Sequence, residues 1–194
     1  AGSQASGSDN EHIVANLNGA GPLDVLRWNG TAWALDWTEN GVGSQSLDTR
    51  AFDVAYENSG EAVAVWASSS GTIGNQTGKL EYRVWNGISW GASTSFTTTT
   101  TEKITWVEMA SHPASGSNQN EIGLCFSTGS QTGTGSQIHC AVWNGTTNTW
   151  GNTKLQESDA DENGTTNGST KTFADFYEQS SGEFTVIWGP EHAG

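Results

Sequence analysis

Along much of the chain apolar and polar positions alternate with a period of two, the pattern of a strand with one face on a core. Leu80, Tyr82 and Val84 fall on one face with Glu81 and Arg83 on the other, and Ile138, Cys140 and Val142 hold the same phase further on. Other segments are apolar on both faces. Val63 and Val65 stand opposite Ala62, Ala64 and Trp66, as expected for an inner strand covered on both sides. No stretch carries a sustained 3.6-residue apolar period. The pattern predicts an all-β protein.

The strands recur. Trp-Asn-Gly appears at Trp28-Asn29-Gly30, Trp85-Asn86-Gly87 and Trp143-Asn144-Gly145, with spacings of 57 and 58 residues. A second Trp follows each triplet, at Trp33, Trp90 and Trp150. "GEAVAVWAS", "NEIGLCFST" and "GEFTVIWGP" keep step, as do "FDVAYENSGE" and "FADFYEQSSGE". Repeats of this size build blades, solenoids or arrays. One repeat reads as four strands, at 52–57, 61–67, 80–85 and 88–94. The repeats span about 12–57, 61–111 and 121–178, with a partial copy at 183–194 and a flexible segment at 1–11. Asn-Gly between two such runs predicts a hairpin with a type I′ turn. That turn brings its two flanking Trp residues together across the strands.

Four-stranded units with a Trp-bearing hairpin resemble the blades of β-propellers. The "WNG-x-x-W" corner is similar to the Asp-box turn of sialidase-like propellers and to the "W-D-G-x-x-W" turns of propeller lectins. This resemblance covers most of residues 12–194 as a supersecondary pattern. It implies blade-like antiparallel sheets, and a glycan-binding or glycosidase lineage. Propellers carry about four to eight blades, so three and a fraction predict an array that does not close into a ring on its own. A β-trefoil or β-prism is the alternative architecture.

Composition narrows the partners. Seven Lys and Arg against 21 Asp and Glu give a formal net charge of −14. That charge repels phosphate backbones and anionic head groups, so neither nucleic acid nor membrane insertion is expected. Abundant Ser and Thr, scarce Lys and five Asn-x-Ser/Thr sequons (Asn29, Asn75, Asn144, Asn163, Asn167) point to an extracellular or cell-surface protein. The sequons have two readings, a glycoprotein or coincidence in so polar a chain.

Four constellations carry candidate chemistry. Asp159, Asp161 and Asn163 with Gly164 match the first half of a calcium loop, with the Thr165 carbonyl and Asn167 completing a Ca²⁺ set. The loop is similar to those of integrin-type propeller blades, with Asn167 where the last Asp would stand. The other reading is a solvated acidic loop. Cys125 and Cys140 occupy the repeat positions of Val65 and Tyr82 on neighbouring strands, which predicts a cross-strand disulfide and an oxidising compartment. Trp33, Trp90 and Trp150 read either as hairpin packing or as sugar-stacking platforms. Arg27, Arg50 and Arg83 with Tyr56-Glu57 and Tyr177-Glu178 supply the residue types of a sialidase-like site. The recurrence of Tyr-Glu at matching positions favours a structural cause, so no enzyme is expected. The leading expectation is a structural or adhesive subunit of a fibre, filament or surface layer, pairing with copies of itself through unmatched strands. The alternatives are a carbohydrate-binding propeller lectin module and a glycosidase fragment.

Overall fold

The computed structural model describes residues 2–4, 11–17, 22–40, 42, 50–68, 78–100, 102–113, 119–129, 136–158, 171–177 and 184–189, with backbone alone at 2–4, 171–177 and 189. Every element among them is a strand. The first sheet runs β1 (Gly2–Gln4), β2 (His12–Leu17), β3 (Leu23–Trp28) and β4 (Trp33–Glu39). The second holds β5 (Phe52–Tyr56), β6 (Ala62–Ala67), β7 (Lys79–Trp85) and β8 (Thr94–Thr97). The third holds β9 (Lys103–Ser111), β10 (Glu121–Gly129), β11 (Ile138–Asn144), β12 (Thr149–Trp150) and β13 (Lys154–Glu157). In the fourth, β14 (Lys171–Tyr177) pairs with β15 (Phe184–Gly189). All strand pairings are antiparallel between strands consecutive within each sheet, apart from the shared β11 edge, and an isolated parallel bridge joins Arg50 to Trp106. Successive four-stranded meanders are propeller blades, and the trefoil and prism alternatives fall away.

Two sequence expectations shift here. Gly2–Gln4 lie in the segment read as flexible, yet they pair with Val14, Ile13 and His12. Each sheet therefore begins one strand earlier than the repeat spans suggest. An edge strand of Gly, Ser and Gln shows no apolar alternation for the period of two to reveal. The fourth strand of the second sheet, expected at 88–94, contributes only a Trp85–Trp90 bridge before β8 begins at Thr94. An irregularity intervenes, and a register slip likewise separates Val25 from Leu26 in the first sheet.

The core lies between sheets. Val54, Tyr56, Ala62, Ala64, Trp66 and Trp85 pack toward Ile13, Val25 and Trp37 of the first sheet. From the opposite face, Ala55, Val63, Val65 and Leu80 pack toward Ile104, Val107, Ile122, Leu124 and Trp143 of the third. Every residue of β6 is buried, as its doubly apolar sequence requires. Cys125, Ile138 and Cys140 then meet Phe184, Val186 and Trp188 of β15.

All three Trp-Asn-Gly triplets lie at hairpin corners, but the turn is not type I′. Trp28 pairs with Trp33, leaving four residues in the loop. The Asn29 side-chain oxygen accepts the N–H groups of Thr31 and Ala32, both at 3.0 Å. Asn86 does the same for Ile88 and Ser89, and Asn144 for Thr146 and Thr147. The asparagine acts through its side chain, mimicking a backbone acceptor, and keeps negative φ. The glycines differ in their cause. Gly30 and Gly87 have φ of 89° and 84°, a region where a Cβ is strained. Gly145 does not; a Cβ there would strike the Glu57 carboxylate and the Asn120 carbonyl.

Candidate functional site: the seam between the first two sheets

On β3, β7 and β11 the residue just before the Trp of the repeated triplet is Arg27, Val84 and Val142 in turn. The repeat therefore offers one equivalent position in each sheet. In the second seam that position is a valine and its neighbours are aromatic. Trp143 and Trp150 pack there against Tyr82, with centroids at 5.5 and 6.2 Å, and Phe96 stacks on Trp150 at 5.4 Å.

The first seam is built differently. Arg27 lies over the Trp85 ring, 4.5 Å from its centroid, and its Nε donates to Asp36 at 2.9 Å. Asp36 also accepts the Trp90 indole N–H at 2.9 Å. From the other side, Arg83 lies over Trp37 at 4.7 Å and donates to Glu39 at 3.3 Å. Each sheet thus lays an arginine on the other's tryptophan and holds it with a carboxylate of the first sheet. Glu11 closes the inner end, accepting the Tyr56 hydroxyl at 2.7 Å and the Trp85 N–H at 3.1 Å. Burial and then the Glu11 bond push the Tyr56 phenol far above its usual range.

Two donors here have no partner. The buried Trp37 Nε1 and Arg83 Nε each lack an acceptor. Unpaired buried N–H groups cost free energy. The ion-pair side chains remain reachable: Arg27, Arg83, Glu39 and Glu11 are each about a quarter exposed. The site therefore offers the charged groups of Arg27, Arg83, Glu11 and Glu39 to solvent, over tryptophan rings that lie buried beneath the two arginines.

The other expected sites are distributed unevenly. Cys125 and Cys140 are in direct register and form a disulfide. Trp33 is half exposed, Trp90 is drawn into the first seam, and Trp150 has its ring covered by Phe96, so the three indoles do not share one role. Asn29 and Asn144 are exposed at their corners. The calcium set (Asp159, Asp161, Asn163, Thr165, Asn167) and the Asn75 sequon lie outside the described residues. Of the three arginines, Arg27 and Arg83 meet, while Arg50 lies elsewhere, over Trp106 and paired with Glu108. Tyr56 and Glu57 point into different seams, to Glu11 and to Trp143. They form no catalytic pair. Asp36, Trp37, Glu39 and Trp85 carry no sequence signal that marks them as a site. The usable signal is the odd member of the repeat, Arg27 where Val84 and Val142 stand.

No protein-family model and no curated protein sequence matches the chain. Among solved structures it is similar to the Aleuria aurantia lectin N224Q mutant in complex with α-methyl-L-fucoside (TM-score 0.51, 14% identity, 97% of this chain and 60% of the lectin). A second complex of that mutant, with Fucα1-6GlcNAc, gives a TM-score of 0.49 at 14% identity, covering 97% of this chain and 61% of the lectin. Penicillium chrysogenum α-L-arabinanase with arabinobiose gives 0.49 and 14%, over 91% of this chain and 52% of the enzyme. The chain spans about three-fifths of the lectin's length. The likeness at a TM-score of 0.51 bears on the fold alone, which is that of β-propeller blades.

Proposed function

We propose that the chain is a carbohydrate-binding β-propeller module whose saccharide site is the seam between the first two sheets. One observation carries this reading. Around the position before the repeated Trp, the second seam packs Tyr82 and Phe96 against its indoles, whereas this seam places two arginine–tryptophan pairs with three carboxylates there. A sugar presents apolar C–H faces and a ring of hydroxyls. It is recognised by aromatic surface with a few fixed polar groups around it. The shared fold with a lectin seen bound to a fucoside supports the reading. Binding without turnover is proposed, since Tyr56 and Glu57 diverge and Arg50 stands apart. The disulfide fits a secreted protein. A fibre or filament role receives no comparable support among the described residues.

Calorimetry with α-methyl-L-fucoside, followed by a glycan panel, tests the proposal. Saturable binding is expected, and Arg27→Lys and Arg83→Lys should each weaken it about tenfold or more, because lysine keeps the charge and loses the planar fork. Binding that is unchanged in both variants, or no glycan retained at all, would overturn it.

A further inference from the structure

The three Trp-Asn-Gly corners share one asparagine geometry and differ in the glycine that follows. In each, the Asn side-chain oxygen accepts two backbone N–H groups, both at 3.0 Å for Asn29, at 3.0 and 2.8 Å for Asn86, and at 3.0 and 3.2 Å for Asn144. Asn29, Gly30, Asn86 and Gly87 are exposed. Among the described residues, the Gly30 and Gly87 N–H groups have no hydrogen-bond partner. Around Gly87 the space is open, with no atom within 4 Å of the place a Cβ would take. Gly145 is held instead. Its N–H donates to the Asn120 carbonyl at 2.9 Å, and the Glu57 carboxylate packs against it.

We propose that Asn86 and Asn29 are sites of spontaneous conversion to isoaspartate, and that the fold protects Asn144 from the same reaction. The Gly87 nitrogen, losing its proton to water, attacks the side-chain carbonyl carbon of Asn86. A C–N bond forms, Nδ2 leaves as ammonia, and a cyclic succinimide remains. Water then opens that ring at either carbonyl, giving isoaspartate or aspartate. Negative charge gathers on Oδ1 during the attack, and the two N–H groups already aimed at that oxygen stabilise it. Glycine sets no side chain beside the attacking nitrogen. At the third corner the equivalent N–H is committed to Asn120, so that hydrogen bond must break before the nitrogen can react. Asn86 has Ile88 two residues on and is no glycosylation acceptor, which leaves its amide open to this chemistry. Conversion there sets one extra backbone carbon and a negative charge between Trp85 and Trp90. The inference stands apart from the saccharide reading, because it is read from covalent change alone.

The test is incubation of the folded, unglycosylated chain near neutral pH, with each Asn-Gly pair mapped on its own peptide by mass spectrometry. Asn29 and Asn86 should exchange amide for carboxylate about tenfold faster than Asn144, the factor that one hydrogen bond sets. Isoaspartate, detected by enzymatic methylation of its carboxylate, should be the main product. In urea, with all three corners unfolded, the three rates should converge. Gly87→Ala should slow conversion at Asn86, where a methyl group then stands beside the attacking nitrogen, and leave Asn29 unchanged. Equal rates at the three corners of the folded chain, faster conversion at Asn144, or conversion of Asn29 and Asn86 in urea alone would each overturn the proposal. So would an Asn86 that the alanine variant does not slow, or aspartate formed without isoaspartate, which marks direct hydrolysis with no ring intermediate.

Discussion

Glu57 is the sharpest place to test the packing between sheets. It follows β5 in the second sheet, is almost fully buried, and accepts the Trp143 indole N–H of the third sheet at 2.6 Å. Ser59 donates to its second oxygen at 3.2 Å. Glu57→Ala leaves the fully buried Trp143 donor without a partner, at about 1–3 kcal/mol, and removes one further buried methylene, at about 0.8 kcal/mol. The expected loss is roughly 2–4 kcal/mol. Glu57→Gln keeps an acceptor oxygen and removes only the titration. Burial raises the Glu57 carboxyl above its ordinary value near 4.5, against the lowering effect of the Trp143 and Ser59 bonds. The folded state therefore holds this proton more tightly than the unfolded chain. Its contribution is complete below about pH 4.5 and is lost as pH rises through the raised folded value. Urea unfolding followed by Trp fluorescence at pH 4.5 and 7.5 should show the Gln variant gaining on the wild type at the higher pH. An advantage that is equal at both pH values, or that shrinks as pH rises, would refute the reasoning, as would an alanine variant as stable as the wild type.

Three further outcomes are expected. Replacing Cys125 and Cys140 by Ala, a bridge with a sequence separation of 15, should cost about 3 kcal/mol on the chain-entropy account; an unchanged urea midpoint would contradict it. Gly87→Ala should cost about 1–2 kcal/mol through backbone strain alone, because φ is 84° and no atom lies within 4 Å of the place its Cβ would take, and Gly87→Asn should recover part of it. Burial lowers the His139 imidazole below its usual 6.5; its contribution is full above that pH and is lost as pH falls through the lowered folded value, so His139→Phe should flatten that part of the acid-stability profile.

What could be read from the sequence was whatever the period of two encodes. The doubly apolar β6, the three hairpin corners and the Cys125–Cys140 register all follow from alternation and repeat alignment. Val65 stands opposite Tyr82 in the second sheet, just as Cys125 stands opposite Cys140 in the third. What escaped depends on other information. β1 is Gly, Ser and Gln, and carries no apolar alternation. The turn type depended on whether asparagine would act through its backbone or its amide. The glycine of the third triplet is explained by Glu57, far upstream and across a seam. Arg27 and Arg83 become a site only when two sheets face each other, and periodicity describes one sheet at a time.

Because each inner sheet spends one face on its predecessor and the other on its successor, the chain behaves energetically as a row of neighbours with no common centre. Stability in such a row is a sum of sheet and interface contributions. The arginine–tryptophan seam is one such interface, so the parting of its two sheets would take the site apart while the neighbouring seam stayed packed. A ligand bridging that seam would hold the two sheets together, and its affinity would carry the free energy of that contact.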